Sequence, residues 1–134
     1  LQKFVALFDG VPKRMRVEAL LDYSKRLPPL PEGIESKVEQ VHECQTPFFL
    51  HTEINEDGRV RLYFDAPQES PTVRGYAEIL REGLDGETPE AILGVPNDFY
   101  YGIGLEDVVT PQRLRGMGAI LARVKRHVRD QVTD

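Results

Sequence analysis

"FFLHTEINEDGRVRLYFD", residues 48–65, is the stretch that decides the fold. In its first part Phe48, Leu50, Thr52 and Ile54 fall on one face of an extended chain. In its last part Val60, Leu62 and Phe64 point one way, and Arg59, Arg61 and Asp65 the other. Period-two alternation of this length marks half-buried strands. Between the two runs lies "NEDG" (55–58), and Gly58 can take the positive φ that a hairpin loop needs. An antiparallel hairpin with one apolar face is therefore predicted.

Moving toward the N-terminus, "KVEQV" (37–41) reads as a third, more weakly patterned strand. Before it, "PKRMRVEALLDYSKR" (12–26) reads as a helix, with Pro12 expected at the first helical position and Val17, Leu20, Leu21 and Ser24 on one face. The prolines of "LPPLPEG" (27–33) cannot continue that helix. Toward the C-terminus, three helix starts share one device: Ser70-Pro71, Thr88-Pro89 and Thr110-Pro111. Each places a hydroxyl at the N-cap and a proline where its missing N–H costs nothing. Val73, Tyr76, Ala77, Leu80 and Leu84 form the stripe of the first, which Asp85-Gly86 ends. There Arg74 is expected to pair with Glu78 four residues on. "TPEAILGV" is a short second helix, and "PNDFYYGIGLEDV" (96–108) a short helix and turn. The last helix runs from Thr110 to about Arg129 and buries Leu114, Met117, Leu121, Val124 and Val128. Helix, strands, then helices predict an α+β fold. The expected architecture is a small three-stranded antiparallel sheet with helices packed on one face, in a single domain over residues 1–134.

The 134 residues fit one domain with one core, and 40% hydrophobic with 29% charged residues excludes a wholly disordered chain. No stretch reaches the apolar length needed to span a membrane. The start, "LQKFVALFDG", lacks the parts of a secretory signal. With one cysteine no internal disulfide forms, so a reducing, cytoplasmic setting is expected. The formal net charge is −5, yet residues 110–134 carry six Lys/Arg against two Asp/Glu. An acidic chain with no aromatics among its basic residues does not fit nucleic acid, and the basic end reads as a solvated helix face.

Cys44 lies in "VHECQTPFFL" (41–50), at the junction of the first two expected strands. Glu43, Gln45 and Thr46 are polar and Pro47 breaks the ladder, which places the cysteine on a loop rather than in the core. His42, Cys44 and His51 form an N/S set that would suit zinc, although no second cysteine supports it. A cysteine hydrolase would need an oxyanion hole, and no glycine-rich turn or helix start stands beside Cys44. A thiol that transfers sulfur or cycles in redox chemistry stays open, as does a buried cysteine acting as a small hydrophobe. Glu43 opposes ionisation, so activation of Cys44 must come from groups distant in sequence or from a partner.

Five stretches in order carry a resemblance. They are "RLPPLPEG" (26–33), "VHECQTPFFL" (41–50), "PTVRGYAEIL" (71–80), "GETPEAIL" (86–93) and "LEDVVTPQRLRGMGAI" (105–120). From about Val17 to Val128 the chain resembles the SufE family of sulfur acceptors that serve iron–sulfur cluster assembly. The resemblance implies that Cys44 is the sulfur acceptor. It implies a SufS-like cysteine desulfurase as donor, with the pyridoxal phosphate in that partner and no cofactor in this chain. It further implies a SufBCD-like scaffold as recipient. Arg113 matches the family's arginine of the last helix, and Glu69 falls where the family has an acid before its Val-basic-Gly helix; both are expected to hold or release the cysteine loop. Arg113 is expected to favour the thiolate by opposite charge, and Phe48, Phe49 and Tyr63 to give the loop an apolar surface. The chain departs from the family where glycine gives way to Glu43 and serine to Thr46, and where Pro47 follows. Two other functions remain beside the carrier: an adaptor that activates a desulfurase without carrying sulfur, and a small zinc-binding module.

Overall fold

The computed structural model of the chain describes residues 1–132. Three strands form one antiparallel sheet in the order β1-β2-β3: β1 Glu39–Gln40, β2 Phe49–Ile54 and β3 Val60–Asp65. Leu50 pairs with Glu39 on one side and with Phe64 on the other, so the register follows the apolar alternation. Phe48, Leu50, Thr52, Val60, Leu62 and Phe64 are all buried on the same face. The hairpin turns where expected: Gly58 has φ +78°, and Asn55 N–H donates to Arg59 O at 2.9 Å.

Five α-helices accompany the sheet: α1 Gln2–Asp9, α2 Lys13–Ser24, α3 Pro71–Leu84, α4 Pro89–Leu93 and α5 Pro111–Val132. Helix α5 packs on β2 and α3 on β3, while α2 lies along α3. Their stripes meet the sheet through Tyr76, Ile79, Leu80, Met117, Leu121 and Val124, all fully buried. The outer edge of β3 is covered by the turn after α3. There the Asp85 carboxylate accepts from Leu62 N–H at 2.8 Å, and Val60 exchanges backbone bonds with Gly86 and Glu87. Two short 3₁₀ turns, Phe99–Tyr101 and Leu105–Asp107, make up the aromatic stretch before α5. No helix among the described residues is long and apolar enough to cross a membrane.

The α+β architecture agrees with the expectation, and five details differ, the first being that β1 is only Glu39–Gln40 of the expected 37–41. Helix α1 is additional: Phe4 and Phe8, one turn apart, are buried and their rings meet Tyr23 of α2 at 5.6 and 6.4 Å. Pro12 is the N-cap of α2 rather than its first helical residue, because its ψ of 147° is still extended. Thr88 and Thr110 do cap their helices, accepting from Ala91 and Arg113 N–H, but the buried Ser70 hydroxyl makes no such bond. Finally, Arg74 does not pair with Glu78. Its guanidinium donates to the Ala66 and Leu27 carbonyls, fastening the ends of two loops, and the buried Glu78 carboxylate instead takes two bonds from Arg81 at 2.6 and 2.8 Å.

Candidate functional site

The cysteine sits on the loop that joins β1 to β2. Val41 and Phe48, both fully buried, close this loop through Val41 N–H donating to Phe48 O at 2.8 Å. The polar residues 42–47 therefore stand between two core anchors. Cys44 N–H turns back to Val41 O at 3.2 Å, and the side chain is half-buried. It lies against α5 at Gly116: a Cβ placed there would stand 3.1 Å from Cys44 Sγ and 3.4 Å from its Cα. A glycine inside a helix costs about 1 kcal/mol relative to alanine. At Gly116 that cost is offset by the close approach of the cysteine. The helix supplies part of the surface under the thiol, and Cys44 also packs against the core that holds Phe48 and Phe64.

Burial pushes the Cys44 thiol up to about 11, and the Glu43 carboxylate adds to the shift; the Arg123 guanidinium opposes both. The resting thiol is protonated near neutral pH, as the acid beside it implies. The cation that opposes the shift is Arg123 of α5, a residue outside the expected set.

Arg123 organises this end of the molecule. Its guanidinium meets both oxygens of Glu43 at 3.0 and 3.3 Å, donates to Gln40 O at 3.2 Å, and bonds the Glu39 carboxylate. Glu39 also accepts from Arg126 at 2.6 and 2.7 Å and lies 2.8 Å from His127 Nε2. The basic stretch of α5 is therefore not a simple solvated face. Two of its arginines, Arg123 and Arg126, together with His127, hold the strand and loop that carry the cysteine. Burial works against ionisation of Glu39, yet hydrogen bonds from His127, Arg126 and Arg123 outweigh it and hold the carboxyl down at about 2.

This has a consequence in acid. A carboxyl depressed from 4.5 to about 2 on folding adds stability above its unfolded value, and that contribution disappears as the pH falls toward about 2. Between those values the wild-type protein is expected to lose stability more steeply than Glu39→Gln, as followed by urea unfolding at a series of pH values. Parallel pH profiles would refute it.

Arg113 lies one turn before Gly116 on α5, and Glu69 lies in the turn before α3. Arg113, in the first turn of α5, donates to Thr72 Oγ1 of α3 at 3.1 Å and so links the starts of the two helices. Glu69 is exposed in the turn before α3. Neither makes a hydrogen bond or ion pair with the cysteine loop among the described residues. The histidines proposed for zinc also go elsewhere: His42 is exposed, and His51 bonds Glu53 at 3.0 Å and stacks on Tyr63. Among the described residues no group of three or more His, Cys, Asp or Glu side chains could hold a metal ion.

Gly116 and Arg123 are the site residues that sequence reasoning passed over. Gly116 had a signal, a glycine inside a strongly patterned helix. Arg123 had none, because nothing in its neighbourhood distinguishes it from Arg126 or Arg129.

Comparison with known proteins places the whole chain in one family. A solved solution structure of a hypothetical protein from Thermus thermophilus superposes with a TM-score of 0.88 at 50% identity, covering 99% of this chain and 96% of that one. An uncharacterized SufE-like protein of Mycobacterium tuberculosis is 47% identical over 131 residues, 97% of this chain and 92% of the relative. The protein named cysteine desulfuration protein SufE in Plasmodium falciparum is 26% identical over 129 residues, 93% of this chain and 52% of the relative. Residues 2–128 match the SufE family, described as an Fe–S metabolism associated domain, and the chain belongs to that family.

Proposed function

We propose that this chain is a sulfur carrier of iron–sulfur metabolism and that Cys44 is its acceptor. The observation that carries the proposal is the setting of the chain's one thiol: a loop anchored at both ends, with the sulfur resting on a helical glycine and protonated at rest. The donor is a cysteine desulfurase that holds the pyridoxal phosphate and presents a persulfide. The Cys44 thiolate attacks the outer sulfur, a new S–S bond forms at Cys44, and the donor's S–S bond breaks. The donor cysteine leaves as a thiolate, which takes up the proton Cys44 gave. No net oxidation occurs, so no external oxidant is needed. A scaffold of the SufBCD kind then receives the sulfur in the cytoplasm.

Two features of the loop suit this role. A raised thiol is a poor nucleophile in free solution, so stray disulfides are not attacked at rest. Exposure on docking removes the burial that raises it. Arg113 and Glu69 lie at the starts of α5 and α3, and their role is to support the elements against which the loop rests.

Intact-mass spectrometry after incubation with an active desulfurase and cysteine tests the assignment. A reducible gain of whole sulfur atoms, mapped by digestion to Cys44, is expected. An unmodified Cys44 beside a desulfurase shown to be turning over would overturn it.

A further inference from the structure

Arg123 and Glu43 join the cysteine loop to α5 beside the thiol. Glu43 precedes the cysteine in the loop, and Arg123 lies on α5, two turns beyond Gly116. One guanidinium spans both: it grips Gln40 O and Glu39 on β1 with one nitrogen and the Glu43 carboxylate with the other. The two ends differ in accessibility. The Arg123 side chain is 15% exposed and the Glu43 side chain 54% exposed. A partner therefore reaches Glu43 far more readily than Arg123.

We propose that Arg123 is a positioning residue that latches the Cys44 loop against α5, and that Glu43 is the releasable end of the latch, opened when a cationic side chain of the sulfur-donating protein takes its carboxylate. The proposal rests on the carrier function given above. Competition for Glu43 has two effects in the same direction. It frees the loop to lift the thiol out of the burial that chiefly keeps it protonated, and it neutralises the Glu43 charge that adds to that effect. The donor's recognition thus activates the acceptor, and in the absence of a donor the sulfur stays covered. This electrostatic hold also selects a donor with a basic residue at the contact.

The alkylation rate of Cys44 by iodoacetamide in the native protein tests the latch, because two explanations predict opposite signs. If Arg123 acted only through its charge, Arg123→Gln would leave the thiol more protonated and slow alkylation. If Arg123 is the latch, the loop opens more often and alkylation quickens, by about tenfold for the loss of several charged hydrogen bonds. A folded Arg123→Gln protein that alkylates at the wild-type rate or slower overturns the proposal. Should that variant not fold, amide hydrogen exchange at Cys44 in Glu43→Gln replaces it. Exchange faster by roughly threefold is expected for an exposed pair, and unchanged exchange overturns the proposal. Wild-type protein is assayed for persulfide alongside. No sulfur on its Cys44 would refute the carrier role without altering what the alkylation rates say of the latch.

Discussion

Cys44→Ser is expected to abolish sulfur uptake altogether, with no sulfur adduct by intact mass at any desulfurase concentration. The serine hydroxyl is not ionised near neutral pH, and it cannot form the S–S bond that stores the cargo. The effect on folding is small. The side chain is half-buried, and such a conservative change falls within about 1 kcal/mol. Chemistry and stability therefore separate cleanly in this variant. The same protein decides between a carrier and an adaptor: if Cys44→Ser stimulated a desulfurase as fully as the wild type, the carrier assignment would fail and binding alone would explain the stimulation. Loss of both uptake and stimulation, with an unchanged melting temperature, places the function on the sulfur atom.

Gly75→Ala carries the largest expected cost to the fold. In an isolated helix the change would stabilise by about 1 kcal/mol. At this position an added Cβ would lie 2.2 Å from Leu20 O and 2.9 Å from Leu20 C. These are backbone atoms of α2, so no side-chain rotation relieves the clash, and α2 and α3 must separate along their contact. Forced expansion of a packed core typically costs about 1–3 kcal/mol and occasionally more. Separating two helices places Gly75→Ala at the upper end of that range, so a net destabilisation of roughly 2 kcal/mol or more is expected. For a domain of this size that is a fall of about 6–10 °C in melting temperature. Gly94→Ala is the control. Its Cβ would meet carbonyl oxygens at 3.5 and 3.6 Å, ordinary contact distances, and the expected change is within about 0.5 kcal/mol. A Gly75→Ala protein that melts at or above the wild-type temperature would show that α2 and α3 are not so closely held.

Much of the fold was legible because it follows from local periodicity. The alternation over residues 48–65 depends only on which side chains avoid water, and the hairpin, its register and its buried face follow from it. The stripes of α3 and α5 were legible for the same reason at helical spacing. Capping was legible in part: Thr88 and Thr110 cap, and Ser70 does not, its backbone at φ −118° and ψ 63° lying away from the extended conformation that Thr88 holds. Helix α1 carries the same stripe signal in Leu1, Phe4, Val5 and Phe8 at helical spacing, which the sequence reading passed over, and Phe4 and Phe8 hold it against Tyr23.

The site divides along a similar line. By itself the sequence determined that the single thiol lies on a loop between two strands, beside an acid that resists its ionisation, and in a pattern that resembles one family. Only the tertiary structure decided what covers and holds that thiol. Gly116 and Arg123 are 72 and 79 residues from Cys44 in the chain, and they meet its loop because α5 packs on β2. Whether a helical arginine is solvated or grips two glutamates depends on which strand lies across from it, and that is set by the packing of helix on sheet rather than by its neighbours in sequence.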